Sequence, residues 1–341
     1  MRTILFVVFL LLAAPAAAAT APPKPLFASE DTIHITIQGP ISTLARNRSS
    51  EARPGTLTIG AETLPVTLAV RGITRRSADI CGFPPIRVEF TRPPAPTSLF
   101  AGQKRLKLVT HCRSQESFQQ YLLLEYAAYR MYQQLTPLSF RVRLADVDYR
   151  QPDGKPFVQR LGFFLEDTSD VAKRNGLKEL HAPELIPVTS LSPVGAARYA
   201  MFQHMIGNHD WSMRAGPKGD DCCHNAKLIG ALGLASGAVI PVPYDFDFSG
   251  LVDTPYATPP DVLHINDVRQ RFYAGYCMHN VEAAAIAAQM RTMRPQLLSA
   301  LSSTPGLQPQ TIGRAQSYLD GFFRDVSTGT AVAALLKRCL N

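Results

Sequence analysis

The sequence predicts an α+β protein. Alternating β-branched and aromatic residues crowd the first half, helical periodicity dominates the second, and no internal repeat links the two. In chain order, strands are predicted over residues 32–38, 64–71, 86–90, 105–110, 140–145 and 157–165, each bounded by turn residues. Asp153-Gly154 marks a hairpin between the last two. One helix interrupts the strands over residues 115–135, with Ser114 as its expected cap and Pro137 just beyond its end. In the second half, Ser192-Pro193 opens a helix that runs to Ile206 and stops at Gly207. Further helices are expected over residues 281–293, 295–301, 310–325 and 330–340, preceded by one hairpin of residues 226–229 and 238–243. The chain thus divides into a strand-rich unit, residues 20–167, and a helix-rich unit, residues 168–341.

Residues 1–19 read as a cleavable secretory signal peptide. Arg2 supplies the positive start, residues 4–14 form an uncharged apolar run, and Ala16 to Ala19 are the small residues a signal peptidase needs. The mature protein is therefore expected outside the cytoplasm, periplasmic or extracellular, with no transmembrane segment after cleavage. A composition of 46% hydrophobic and 18% charged residues can build a large core. The formal charge of +8 is spread along the chain with no Lys/Arg block, which argues against nucleic acid as a partner. The six cysteines, Cys81, Cys112, Cys222, Cys223, Cys277 and Cys339, are an even set in an exported chain and read as disulfides. If the strands at 86–90 and 105–110 pair antiparallel, Cys81 comes close to Cys112; the other connectivities stay open.

Three segments carry candidate chemistry. Phe118, Tyr121, Leu122, Tyr129 and Tyr132 fall on one stripe of the first helix, and Glu125 sits in the middle of it. A carboxylate on an apolar face needs a partner or loses its charge, and Lys107 on the preceding strand is the expected one. Ile206-Gly207-Asn208-His209-Asp210 leaves a helix for a loop, where Asp210 can orient a hydroxyl or take its proton. At the end of the second hairpin strand, Tyr244-Asp245-Phe246-Asp247 sets two carboxylates two residues apart. Such hard oxygen ligands suit Mg²⁺.

A Lys strand, a Glu helix, an Asp loop, Asn225 before a short strand and an Asp-Phe-Asp after the hairpin follow in the order of the protein-kinase plan. In these segments, together with Arg71-Gly72-Ile73-Thr74-Arg75, the chain resembles the CotH-type spore-coat kinases, within the wider group of atypical, HipA-like kinases. The matching segments span roughly residues 65–250, and Asn225 stands farther from Asp210 than kinase spacing requires. The resemblance implies a bilobal protein-kinase-like fold, Mg and ATP as cofactors, and phosphotransfer to a protein or small-molecule hydroxyl. It assigns Lys107 to the phosphates, Glu125 to holding Lys107, Asp210 to catalysis, and Asn225 and Asp245 to the metal, with Asp247 as the alternative ligand. Its partners are a nucleotide or another phosphate ligand, and an acceptor the sequence does not name. Two other readings stand beside it. One is a non-catalytic exported scaffold, offering Arg271, Tyr273 and Tyr276 to an anionic ligand. The other is a metallophosphoesterase, from the string Gly207-Asn208-His209-Asp210.

Overall fold

The computed structural model describes residues 22–341, so the expected signal peptide lies outside the described residues. The first half builds strand β1 (Ile33–Gln38), helix α1 (Ile41–Asn47), β2 (Arg53–Ile59), β3 (Glu62–Val70), β4 (Ile86–Phe90), β5 (Arg105–Val109), α2 (Glu116–Leu135), β6 (Val142–Arg150) and β7 (Pro156–Leu165). The seven strands close into a barrel in the order β1-β2-β3-β4-β5-β7-β6, shut by parallel pairing of β1 with β6 from Ile33↔Ala145 to Gln38↔Arg150. Alternation drives this arrangement: Ile33, Ile35 and Ile37 of β1, Val66 and Leu68 of β3, Val88 of β4 and Leu106 and Leu108 of β5 fill the interior. Helix α1 adds Ile41 and Leu44 to that core.

The second half continues with α3 (Thr168–Arg174), β8 (Lys178–Leu180), α4 (Pro193–Ile206), β9 (Ala226–Gly230), β10 (Ile240–Pro243), α5 (Asn280–Thr292), α6 (Arg294–Ser302), α7 (Pro309–Asp325) and α8 (Gly329–Leu336). Strands β8, β9 and β10 form a separate antiparallel sheet in the order β10-β9-β8. The α+β class holds, but the bilobal kinase-like fold does not. The strand-rich half is a closed seven-stranded mixed barrel, because β1 reaches across to β6 and leaves no open sheet edge. A second apolar cluster, apart from the barrel interior, joins α2 and β7 to the helices. Tyr126 and Tyr129 of α2 and Phe163 of β7 belong to the same apolar cluster as Phe202 of α4, Leu301 of α6 and Phe322 of α7.

Helix α2 is buried along most of its length and ties the barrel to the helices. Its cap is not Ser114: Gln115 stands at the N-cap and offers no side-chain hydrogen bond. Helix α4 starts and stops as its sequence predicts, with Ser192 Oγ accepting from Gly195 N and Gly207 in the left-handed region at φ +62°. A Cβ at Gly207 would collide with the Tyr318 hydroxyl, so the loop after α4 is laid tightly against α7.

Cys81 pairs with Cys112, as the β4–β5 register implies, and Cys222 with Cys223 and Cys277 with Cys339 complete three disulfides. Three disulfides fit an oxidising compartment outside the cytoplasm. No helix of the described residues is long and apolar enough to cross a membrane.

Candidate functional site

The buried carboxylate of α2 finds its cation, but not on β5. Glu125 accepts from Arg75 at 3.1 and 3.5 Å, in the turn after β3. The same guanidinium reaches Asp245 Oδ1 and Asp247 Oδ2, each at 3.2 Å, so one arginine faces three carboxylates. Tyr256 donates its hydroxyl to Asp247 at 3.0 Å. Burial, with the repulsion of neighbouring carboxylates, pushes Glu125 up to about 7 and Asp247 well above the usual carboxylate range. Arg75 is raised well above its ordinary value; burial opposes this, and Asp247, Glu125 and Asp245 outweigh it. The expected Lys107–Glu125 pair is thus corrected to Arg75–Glu125.

Asp245 and Asp247 part company here. The strand ends at Pro243, and Asp245 sits in the left-handed region at φ +64° with its amide donated to the Tyr129 hydroxyl at 2.8 Å. Its side chain is 38% exposed, that of Asp247 only 7%. Asp247 is locked between Arg75 and Tyr256, while Asp245 is bound to Arg75 through Oδ1 alone.

Asp210 follows α4 in the loop that Gly207 opens. Both of its carboxylate oxygens are engaged: Oδ1 lies 2.6 Å from His224 Nε2, and Oδ2 accepts from Asn225 Nδ2 at 2.9 Å. The same amide donates to the Asp210 carbonyl at 2.7 Å, and the Asn225 side-chain oxygen takes no hydrogen bond from the described residues. Asn225, like Asp245, has a left-handed backbone, at φ +49°. Non-glycine residues in that region cluster at functional sites. The hydrogen bond to Asp210 raises His224 above its ordinary value. Of the Gly207–Asp210 string Asp210 meets His224 and Asn225, whereas His209 is buried with Nε2 at 2.8 Å from the Gln270 carbonyl.

The link between the two acidic groups is Tyr244, whose amide donates to the Asn225 carbonyl at 3.2 Å. Over its ring lie two ammonium groups, Lys107 at 5.8 Å and Lys227 at 5.4 Å from the centroid. Lys107 is half-buried on β5, and burial together with the nearby Arg71 and Lys227 pulls its ammonium down to about 8. Lys107, Asp210, Asn225 and Asp245 therefore gather around Tyr244, while Glu125 and Asp247 stand behind them in the Arg75 cluster. The sequence gives no role to Arg75, Lys227 or Tyr244, and places His224 only in a candidate metal cluster with Cys222 and Cys223, which the structure pairs with each other instead. His224 and Lys227 flank Asn225 in the chain, and Arg71 and Arg75 bracket one of the quoted motifs, so adjacency was the available signal.

Asn225 and Asp245 are the residues that could hold a magnesium ion whose other ligands are phosphate oxygens and water. Asn225 and Asp245 offer one oxygen each, and Mg²⁺ commonly takes only one or two carboxylates beside substrate phosphates and water. Among the described residues no group of three or more His, Cys, Asp and Glu side chains forms a metal cage on its own.

Two other regions take no part. Arg271 donates to the Met205 and Tyr318 carbonyls and lies 3.9 Å from the Tyr318 ring centroid, and Tyr273 is buried, so that segment is a structural cross-link. A cavity of about 620 Å³ between α2 and α7, lined by Gln120, Tyr121, Arg269 and Arg314, contains none of the predicted site residues. No family model matches the chain, and no curated protein matches it in sequence.

Proposed function

We propose that this chain is an exported phosphotransferase, acting in the periplasm or outside the cell, that moves a phosphoryl group from a nucleotide to a hydroxyl of a protein or small molecule. Its motifs resemble those of CotH-type kinases, and the observation that carries the reading is the gathering of Lys107, Asp210, Asn225 and Asp245 around Tyr244. Lys107 neutralises phosphate charge. Asn225 and Asp245 hold the magnesium, which offsets the charge of the donor phosphates when bound. Asp210 orients the acceptor hydroxyl. The acceptor oxygen bonds to phosphorus as the bond to the donor's bridging oxygen breaks. The hydroxyl proton passes to the Asp210–His224 pair, and the donor leaves one phosphate shorter.

The test is calorimetric titration of the oxidised protein with ATP, with and without Mg²⁺. Binding tightened at least tenfold by Mg²⁺ is expected, with that gain lost in Asp245→Asn and affinity lost in Lys107→Ala. A wild type that melts cooperatively yet gains no ATP affinity from Mg²⁺ overturns the reading.

A further inference from the structure

The cations around Tyr244 outnumber their anions. Arg71, Lys107 and Lys227 are all half-buried, and none makes an ion pair within 4 Å among the described residues. Arg71 follows β3 and donates its amide to the Pro85 carbonyl, which fixes it beside the β4–β5 pair. There Arg87 stands opposite Lys107 in the register, and Lys107 opposite Leu165. Arg71, Arg87, Arg105 and Lys107 line a cavity of about 260 Å³ in which Asp167 is the one carboxylate, paired with Arg105 at 3.6 Å. The apolar lining is two leucines, Leu106 and Leu165.

A folded chain gains nothing by crowding unpaired cations unless an anion joins them. A purine base calls for apolar or aromatic walls, and this cavity has cationic ones. We infer that the site recognises a linear chain of two or more phosphates, seated on Arg71, Lys107 and Lys227 without help from a metal, and that the nucleoside of a nucleotide donor adds little to its affinity. This rests on the phosphate-donor reading above and narrows it: the donor class is a polyphosphate or a polyphosphate ester.

The experiment is titration of the full oxidised chain with inorganic tripolyphosphate, orthophosphate and ATP, all in EDTA. Tripolyphosphate is expected to bind within about threefold of ATP and at least tenfold tighter than orthophosphate. Lys227→Ala and Arg71→Ala each reduce its affinity at least tenfold. Lys227→Gln, which keeps a polar side chain at this half-buried position of β9, guards against misfolding, with an unchanged thermal transition and the same loss. Failure of tripolyphosphate to bind, binding no tighter than orthophosphate, or ATP binding a hundredfold tighter than tripolyphosphate each overturns the inference. The two proposals fail separately. Tripolyphosphate binding in EDTA with no Mg²⁺ effect on ATP keeps this seat and removes the phosphotransferase. Mg²⁺-dependent ATP binding without tripolyphosphate binding does the reverse.

Discussion

Two charged regions meet at Asp245, and they are built in opposite ways. Behind it, Arg75 faces Glu125, Asp245 and Asp247 in a closed pocket, an excess of carboxylate around one buried cation. In front of it, Arg71, Lys107 and Lys227 share a half-open space with no carboxylate partner among the described residues. The closed side is satisfied from within, by Arg75 and the Tyr256 hydroxyl. The open side is unsatisfied, and burial holds Arg71 and Lys107 below their ordinary values. A protein tolerates the first for structure and the second for a ligand. Substitutions on the two sides should therefore differ in kind.

The largest effect is expected from Arg75→Ala, which strands Glu125 and Asp247 in a dry pocket and leaves the partly exposed Asp245 without its cation. Breaking a buried pair from one side costs about 3–5 kcal/mol. Urea denaturation should show that loss, and Arg75→Ala combined with Glu125→Gln should recover part of it. If Arg75→Ala changes the midpoint no more than a surface substitution does, the closed cluster contributes nothing to the fold.

How much of this was legible follows from the range of the interactions. Helix α4 could be read to its ends because Ser192 and Gly207 act within one turn of the helix they bound. The Cys81–Cys112 bridge could be read because a single antiparallel pair, β4 with β5, brings the two together. Barrel closure could not: it depends on β1 meeting β6 across more than a hundred residues, and no local pattern encodes that pairing. Strand β2 carries Pro54-Gly55, which weakens a strand pattern, and α3 and β8 are too short for a periodic signal. The site was legible as a set of anomalies rather than as contacts. A carboxylate in an aromatic stripe announced that Glu125 needed a cation. Its partner, fifty residues upstream in a single 3₁₀ turn, carried no periodicity to point at it.

The second effect is a pH dependence that belongs to the closed side. Burial raises Glu125 to about 7 from an ordinary 4.5, against the pull of Arg75 and with the push of Asp245. In that interval the native state holds a proton that the unfolded chain has released, so unfolding releases it and acid favours the fold. The contribution is complete below about 4.5 and lost as pH rises through about 7, a change of about 3 kcal/mol. Denaturation midpoints measured from pH 5 to pH 8 should fall over this window in the wild type and fall less in Glu125→Gln. Equal slopes in the two proteins would assign the effect to Asp247 or elsewhere.

The smallest effect on stability is expected on the open side, and it sharpens the contrast most. Lys227→Met removes one of the charges that, after burial and Arg71, pull Lys107 down to about 8. No ion pair is lost, so the unfolding free energy should stay within about 0.5 kcal/mol of wild type, the range of a surface change. The Lys107 titration should nonetheless move upward, toward its ordinary 10.5. The linkage has the opposite sign to that of Glu125. Between about 8 and 10.5 the unfolded chain binds the proton that native Lys107 has given up, so stability contributed by this group rises with pH through that interval, less steeply in the variant. Carbon resonances of labelled lysine, assigned with Lys107→Arg, give the titration directly. An upward shift with unchanged stability means that the open side stores repulsion available to an incoming anion. A large loss of stability would mean that Lys227 is structural, and that the two regions differ in exposure but not in purpose.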